Sequence, residues 1–177
     1  MMNRRLWLTR IVKGFSITGA GFLAFPFFRA LIPTADDETS LEVSVDDLGP
    51  GQSKIVRWRG RDLVVQKRSQ QMIKTIGEGN IDLKDPDSLQ SVQPAFAENA
   101  YRSLRPEIFV TYNLCTHLGC QVVRSKDTAL GFSCPCHNSD YDLSGRVVSG
   151  AAAPTNLEVP SYRFISGNTL VLEVAEV

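Results

Sequence analysis

Only two histidines and four cysteines occur in the 177 residues, and all six fall in two short stretches, "CTHLGC" at 115–120 and "CPCH" at 134–137. Thiol or imidazole chemistry is therefore confined to those two places. Acidic residues are missing from the first 35 positions, where Arg4, Arg5, Arg10, Lys13 and Arg29 stand alone; the remainder carries 14 basic against 19 acidic groups, net −5. A mildly acidic body lacks the positive excess that phosphate binding requires, which argues against a nucleic-acid partner. Internal repeats and low-complexity tracts are absent too. A chain of this length then reads as one compact domain with an appendage.

Charge is also missing from the middle of the N-terminal segment. Between Ile11 and Ile32 the only charges, Lys13 and Arg29, lie near the ends, where long side chains reach the headgroups. As a helix these residues span roughly 33 Å, enough to cross a hydrocarbon core of about 30 Å. Basic residues before the span and Asp36, Asp37 and Glu38 after it predict a cytoplasmic N-terminus and an extracytoplasmic body. The run "FFRALIPTADD" lacks the small-residue site of a cleaved signal peptide, and Gly14, Gly19, Gly21 and Pro26 would weaken a buried soluble helix. Arg4-Arg5 before "LWL" has the form of a twin-arginine export signal, which carries proteins already folded around a cofactor.

The polar, acidic stretch 33–40 reads as a flexible hinge. Beyond it strands dominate: "LEVSV", "SKIVRW" and "DLVVQKR" around the turn "RGR", "PEIFVTYNL" running into the first cysteine, and "YRFIS" with "TLVLEV" as a closing hairpin around "GN". A short helix is expected from about Ser69 to Ile76, stopped by Gly77, and residues 80 to 105 read as irregular loop.

The two Cys/His stretches form the pattern C-x-H-x2-C, thirteen residues, C-x-C-H. Thiols outside the cytoplasm are bridged, metallated or oxidised, so six donors on two loops demand a role. Two structural disulfides would leave both histidines unexplained. Tetrahedral zinc would use four of the six donors and leave two over, although the spacing alone does not exclude it.

"CTHLGC" and "CPCHNSDY" resemble the two boxes of the Rieske iron-sulfur proteins, in the subset that serves ubiquinol:cytochrome c reductases of bacteria and mitochondria. The likeness extends through the twin-arginine anchor, "RWRGRDLVV", "DPDS", "RSLRPEIFVTYNLC", "SGRVVSG" and "NLEVPSYRF". It implies a mainly β fold: an antiparallel Rieske-type β-sandwich with a cluster-binding subdomain at about 112–158. The implied division is a transmembrane anchor over 1–32, the hinge, and a 2Fe-2S domain over 41–177. Carried over by position, Cys115 and Cys134 bind one iron of one 2Fe-2S cluster and His117 and His137 the other, while Cys120 and Cys136 form a disulfide. Ser139 and Tyr141 match the hydroxyls that bond a bridging sulfide and the first ligand thiolate, and Leu118 packs around the cluster and limits water access.

Two ferric ions, two sulfides and two thiolates carry no net charge, whereas four thiolates would leave the core doubly negative, so imidazole ligation raises the potential. Hydrogen bonds from Ser139 and Tyr141 to sulfur add to this. The resemblance makes His137 the residue that contacts ubiquinol and takes up its proton with the electron. It implies cytochrome b and cytochrome c-type partners in a dimeric complex of the bacterial inner membrane, with a single-pass anchor and a periplasmic domain. An exported Rieske electron carrier, such as the small subunit of arsenite oxidase, is the alternative; a Rieske oxygenase fails for want of a catalytic domain. Two positions depart from the pattern: Asn138 stands where glycine is usual, a backbone site expected to need positive φ, and Ala152 where proline is frequent.

Overall fold

The computed structural model describes residues 3–32 and 39–174; of the expected hinge, 33–38 lie outside the described residues. The chain forms two units, Met1–Asp37 and Glu38–Val177. The first is the helix α1 (Arg4–Ala30), which starts earlier than the apolar span and takes in both arginines of the pair. Asn3 caps it, its side chain accepting from the Arg5 amide. None of its residues is buried and it is long and apolar enough to cross a membrane. The hydroxyls of Thr9 and Thr18 donate to the carbonyls of Arg5 and Gly14, at 2.8 and 2.9 Å, so neither needs a partner outside the helix.

The second unit is built from strands β1 (Ser40–Ser44), β2 (Ser53–Trp58), β3 (Arg61–Lys67), β4 (Ile108–Tyr112), β5 (Val123–Arg124), β6 (Leu130–Cys134), β7 (Ser139–Asp142), β8 (Tyr162–Phe164) and β9 (Thr169–Glu173). They form three antiparallel sheets in the orders β1-β9-β8, β2-β3-β4 and β5-β6-β7. The β2–β3 hairpin turns on Arg59 and Gly60 at φ +50° and +72°, the paired positive φ that matches the twist of two strands joined by a two-residue loop. All five residues of β4 are buried, because both its faces are covered, and the first two sheets share a core containing Val43, Leu63, Val65, Val110, Leu170 and Leu172.

Two sequence expectations change. The helix α2 runs Gln70–Glu78 rather than ending at Gly77. Ser69 caps its start, accepting from the Met72 amide, and it stops at Gly79, whose φ of +61° reverses the chain as a helical Gly77 does not. The third sheet has no forecast: β5 is two residues long and β7 reads "SDYD", so neither carries a periodic apolar signal. What lets this sheet form is Gly131, since a Cβ there would meet the Asp142 carbonyl oxygen and lie 2.9 Å from Leu143 Cα. The register shifts at that point, between Leu130 and Phe132.

Candidate metal centre

The first Cys/His stretch leaves the end of β4 and folds back at once. The Cys115 amide donates to the Cys120 carbonyl at 2.7 Å, the Gly119 amide to the Cys115 carbonyl at 3.0 Å, and Gly119 takes φ +74°. The second stretch is the loop between β6 and β7, where Cys134 pairs with Ser139. Asn138 closes that loop at φ +52°, the conformation expected for it. A disulfide between Cys120 and Cys136 ties the two loops together.

The four remaining donors divide by depth. Cys115 and Cys134 are free thiols exposed by 2% and 1%, whereas His117 is half-buried and His137 exposed. Burial pushes the Cys134 thiol up, and the neighbouring Cys115 thiol adds to the shift, so a nearby cation is what favours thiolates here. The imidazoles meet edge to face with their centres 4.7 Å apart. His117 Nδ1 is buried with no hydrogen-bond partner among the described residues. An orphaned, buried ring nitrogen two residues from a buried thiol in sequence fits a bound metal, for which that lone pair would be the ligand. The Sγ atoms of Cys120, Cys134 and Cys136 lie within 4.8 Å of one another, but the first and third are bonded together; their closeness records the disulfide lying against Cys134.

One hydroxyl among those around the donors meets a sulfur. Tyr141 Oη is 3.2 Å from Cys115 Sγ, either atom able to donate while both are protonated; burial followed by that thiol raises the Tyr141 pKa, so the phenol keeps its proton and is the donor once Cys115 is a thiolate. The same oxygen accepts from the Thr116 amide at 3.4 Å, and the Thr116 hydroxyl donates to the Thr155 carbonyl at 2.6 Å. Ser139, fully buried, accepts from the Ala153 amide at 3.0 Å. Leu118 is 71% exposed at the tip.

Sequence reasoning missed the support behind this centre. Arg146 and Asp142 form a buried ion pair at 2.7 Å, and Arg102, fully buried, donates to the carbonyls of Ser144, Gly145 and Leu157 and to Gln93 Oε1. Arg68 donates to the Leu143, Pro106 and Tyr101 carbonyls. Burial pulls both Arg68 and Arg102 down to about 10, still far above neutrality, so both carry charge. Asn156 ties the loop after β7 to the 85–91 turn through the Asp85 carbonyl and Ser88 Oγ. "SGRVVSG" and "RSLR" were legible as stretches, yet nothing local marks an arginine as buried.

Two cysteines and two histidines would by themselves suit tetrahedral zinc. Comparison with known proteins separates the possibilities. The Rieske [2Fe-2S] domain model matches residues 40–163. A ubiquinol-cytochrome c reductase iron-sulfur subunit of Allochromatium vinosum is 33% identical over 97% of this chain and 88% of its own length. The mitochondrial cytochrome b-c1 complex subunit Rieske-1 of Arabidopsis thaliana is 37% identical over 75% of this chain, a match that spans 45% of the plant protein. Among solved structures, a chain of a hyperthermophilic respiratory Complex III aligns over 92% of this chain and 98% of its own, with a TM-score of 0.50 and 19% identity, a likeness of fold.

Proposed function

Because this chain belongs to the Rieske [2Fe-2S] family, we propose that it is the iron-sulfur subunit of a quinol:cytochrome c oxidoreductase, with Cys115 and Cys134 holding one iron and His117 and His137 the other. The observation that carries this reading is the gradient of donors: thiols sealed in the core, imidazoles at the rim, and a disulfide binding the two loops into one tip. The cluster supplies a one-electron acceptor of raised potential.

The side chains do the rest. Tyr141 donates to Cys115 Sγ, and Ser139, its oxygen already accepting from Ala153, keeps its own proton for a second sulfur acceptor. His137 presents its free nitrogen at the exposed tip, where it accepts the hydrogen bond and then the proton of a quinol hydroxyl. Leu118, exposed on the first of the two loops, offers apolar surface that excludes water once a partner closes over the tip. The partners are a cytochrome b and a cytochrome c-type subunit of a dimeric cytochrome bc complex, with ubiquinol as substrate. We assign residues 1–32 to the anchor, with the N-terminus cytoplasmic, and 41–177 to a periplasmic domain.

A redox titration of the purified full chain, followed by EPR at several pH values, tests this. The expected outcome is a Rieske-type signal whose potential is high and falls as pH rises past neutrality, as electron uptake coupled to a proton requires. A low potential independent of pH leaves only a simple electron carrier, and bound zinc without sulfide removes the cluster assignment altogether.

A further inference from the structure

Lys84 stands in the stretch expected to be irregular, yet that stretch is stitched to the loop behind the centre. The Lys84 amide donates to the Val147 carbonyl at 2.9 Å, the Ser149 amide donates to the Asp82 carbonyl at 2.9 Å, and Leu83 bridges Val148. This short ladder carries the Lys84 side chain to the next turn of chain. There its ammonium donates to two carbonyls, Ala151 and Ala153, both at 2.9 Å. Among the described residues Lys84 has no carboxylate partner, so its charge is directed at these two oxygens.

Ala153 faces both ways. Its carbonyl accepts from Lys84, and its amide donates to Ser139 Oγ at 3.0 Å, with Ala153 and Ser139 both fully buried. A hydroxyl has one proton, and accepting from Ala153 fixes the direction in which that proton points. Proline restricts only the end of this loop: the segment reads Gly150, Ala151, Ala152, Ala153 ahead of Pro154, with Gly150 at φ +82° and Ala152 exposed. Three small residues after a glycine hold a shape only if their backbone groups are engaged. A charged donor gripping two carbonyls one residue apart supplies that engagement, and such bonds are stronger than neutral ones.

We propose that Lys84 is a positioning residue for the cluster: it clamps the 151–153 loop so that the Ala153 amide stays on Ser139 Oγ and the Ser139 proton stays on sulfur. The proposal rests on the cluster assignment above. It makes one residue, remote from both Cys/His stretches in sequence, a determinant of how readily the centre is reduced.

The experiment compares the full-length parent protein, Lys84→Met and Lys84→Arg, each purified in detergent. Hydrogen exchange of peptides covering 150–157 is measured by mass spectrometry and the midpoint potential by EPR-monitored titration. With methionine, exchange of the loop amides accelerates about tenfold, since a charge-assisted bond is lost, and the potential falls; arginine, which keeps the charge and the donors, restores both. Faster exchange with an unchanged potential overturns the proposal by disconnecting the loop from Ser139. A lower potential with unchanged exchange also overturns it, reducing Lys84 to a charge acting through space. An absent EPR signal in the parent protein sinks the cluster assignment and the tuning role with it, while the exchange comparison alone decides whether the clamp exists.

Discussion

Arg102 shows how far a single buried residue governs the frame of the centre. Its guanidinium, fully enclosed, donates to the carbonyls of Ser144 and Gly145 at 3.3 Å and of Leu157 at 2.7 Å, so it fastens the turn after β7 to the strand of chain that follows the 151–153 loop. Replacing a buried charge by an apolar side chain is harmless only if its partners also disappear, and here the three carbonyls remain. Arg102→Leu is therefore expected to cost about 3 kcal/mol in chemical denaturation followed by near-ultraviolet circular dichroism. Arg102→Lys keeps the charge but lacks the fork needed to serve three oxygens, and should fall between. A leucine variant as stable as the parent would mean that water replaces the guanidinium. The proposed ligand residues were legible because Cys and His occur nowhere else, and Ser139 and Tyr141 only through the resemblance to the family's positions. Arg68, Arg102 and Arg146 were not, since an arginine has the same letters around it whether it lies on a surface or in a core.

Among the elements, the strands with alternating or continuous apolar runs were read to within two residues of their ends, and the closing hairpin was placed correctly. Those that escaped, β5 to β7, are held by tertiary pairing and by a glycine at a close approach, neither of which leaves a period in the sequence. The 80–105 segment was read as loop and is irregular apart from a 3-10 turn at Ala95–Ala97 and the Leu83–Val148 bridge, and it is anchored at its far end by Tyr162 of β8. That ring packs edge-on against Phe96 with centres 4.9 Å apart, and its oxygen accepts from the Leu104 amide at 3.2 Å. Burial pushes the Tyr162 pKa up to about 12 from an ordinary 10.0. A raised acid is neutral in the fold, so its contribution is fully present below pH 10 and is lost as pH climbs through 12. The loss is on the order of 2 kcal/mol. Tyr162→Phe gives up the Leu104 bond, about 1 kcal/mol at neutral pH, but has no proton to lose. The parent is thus expected to be the more stable at neutral pH and to lose that advantage between about pH 10 and 12. Denaturation curves of the two proteins that stay a constant distance apart over that range would show that Tyr162 does not titrate there.

At the scale of the whole molecule, the proposed arrangement in the membrane rests on where the charges are. The first 29 residues hold five cations and no acid, while the rest of the chain is net negative. Because α1 begins at Arg4, three of those cations, Arg4, Arg5 and Arg10, lie in its first two turns, and its 27 residues reach about 40 Å, longer than the hydrocarbon core. In the topology proposed above, the surplus length puts the basic turns in the headgroup layer, and the positive-inside rule makes the side that retains them the cytoplasmic one. Every residue proposed to hold the cluster follows the span, so the orientation of one helix decides on which side of the membrane the centre operates. The prediction is that protease added to spheroplasts digests the Glu38–Val177 unit, whereas the same unit is protected in inverted vesicles. Changing Arg4, Arg5 and Arg10 to glutamine removes most of the bias before the span, and a fraction of the chains should then become protected in spheroplasts. Protection of the unmodified chain in spheroplasts would reverse the orientation. A centre on the cytoplasmic side would then have to form its Cys120–Cys136 disulfide where thiols are kept reduced, so the disulfide and the charge distribution are two independent reasons to expect the same topology.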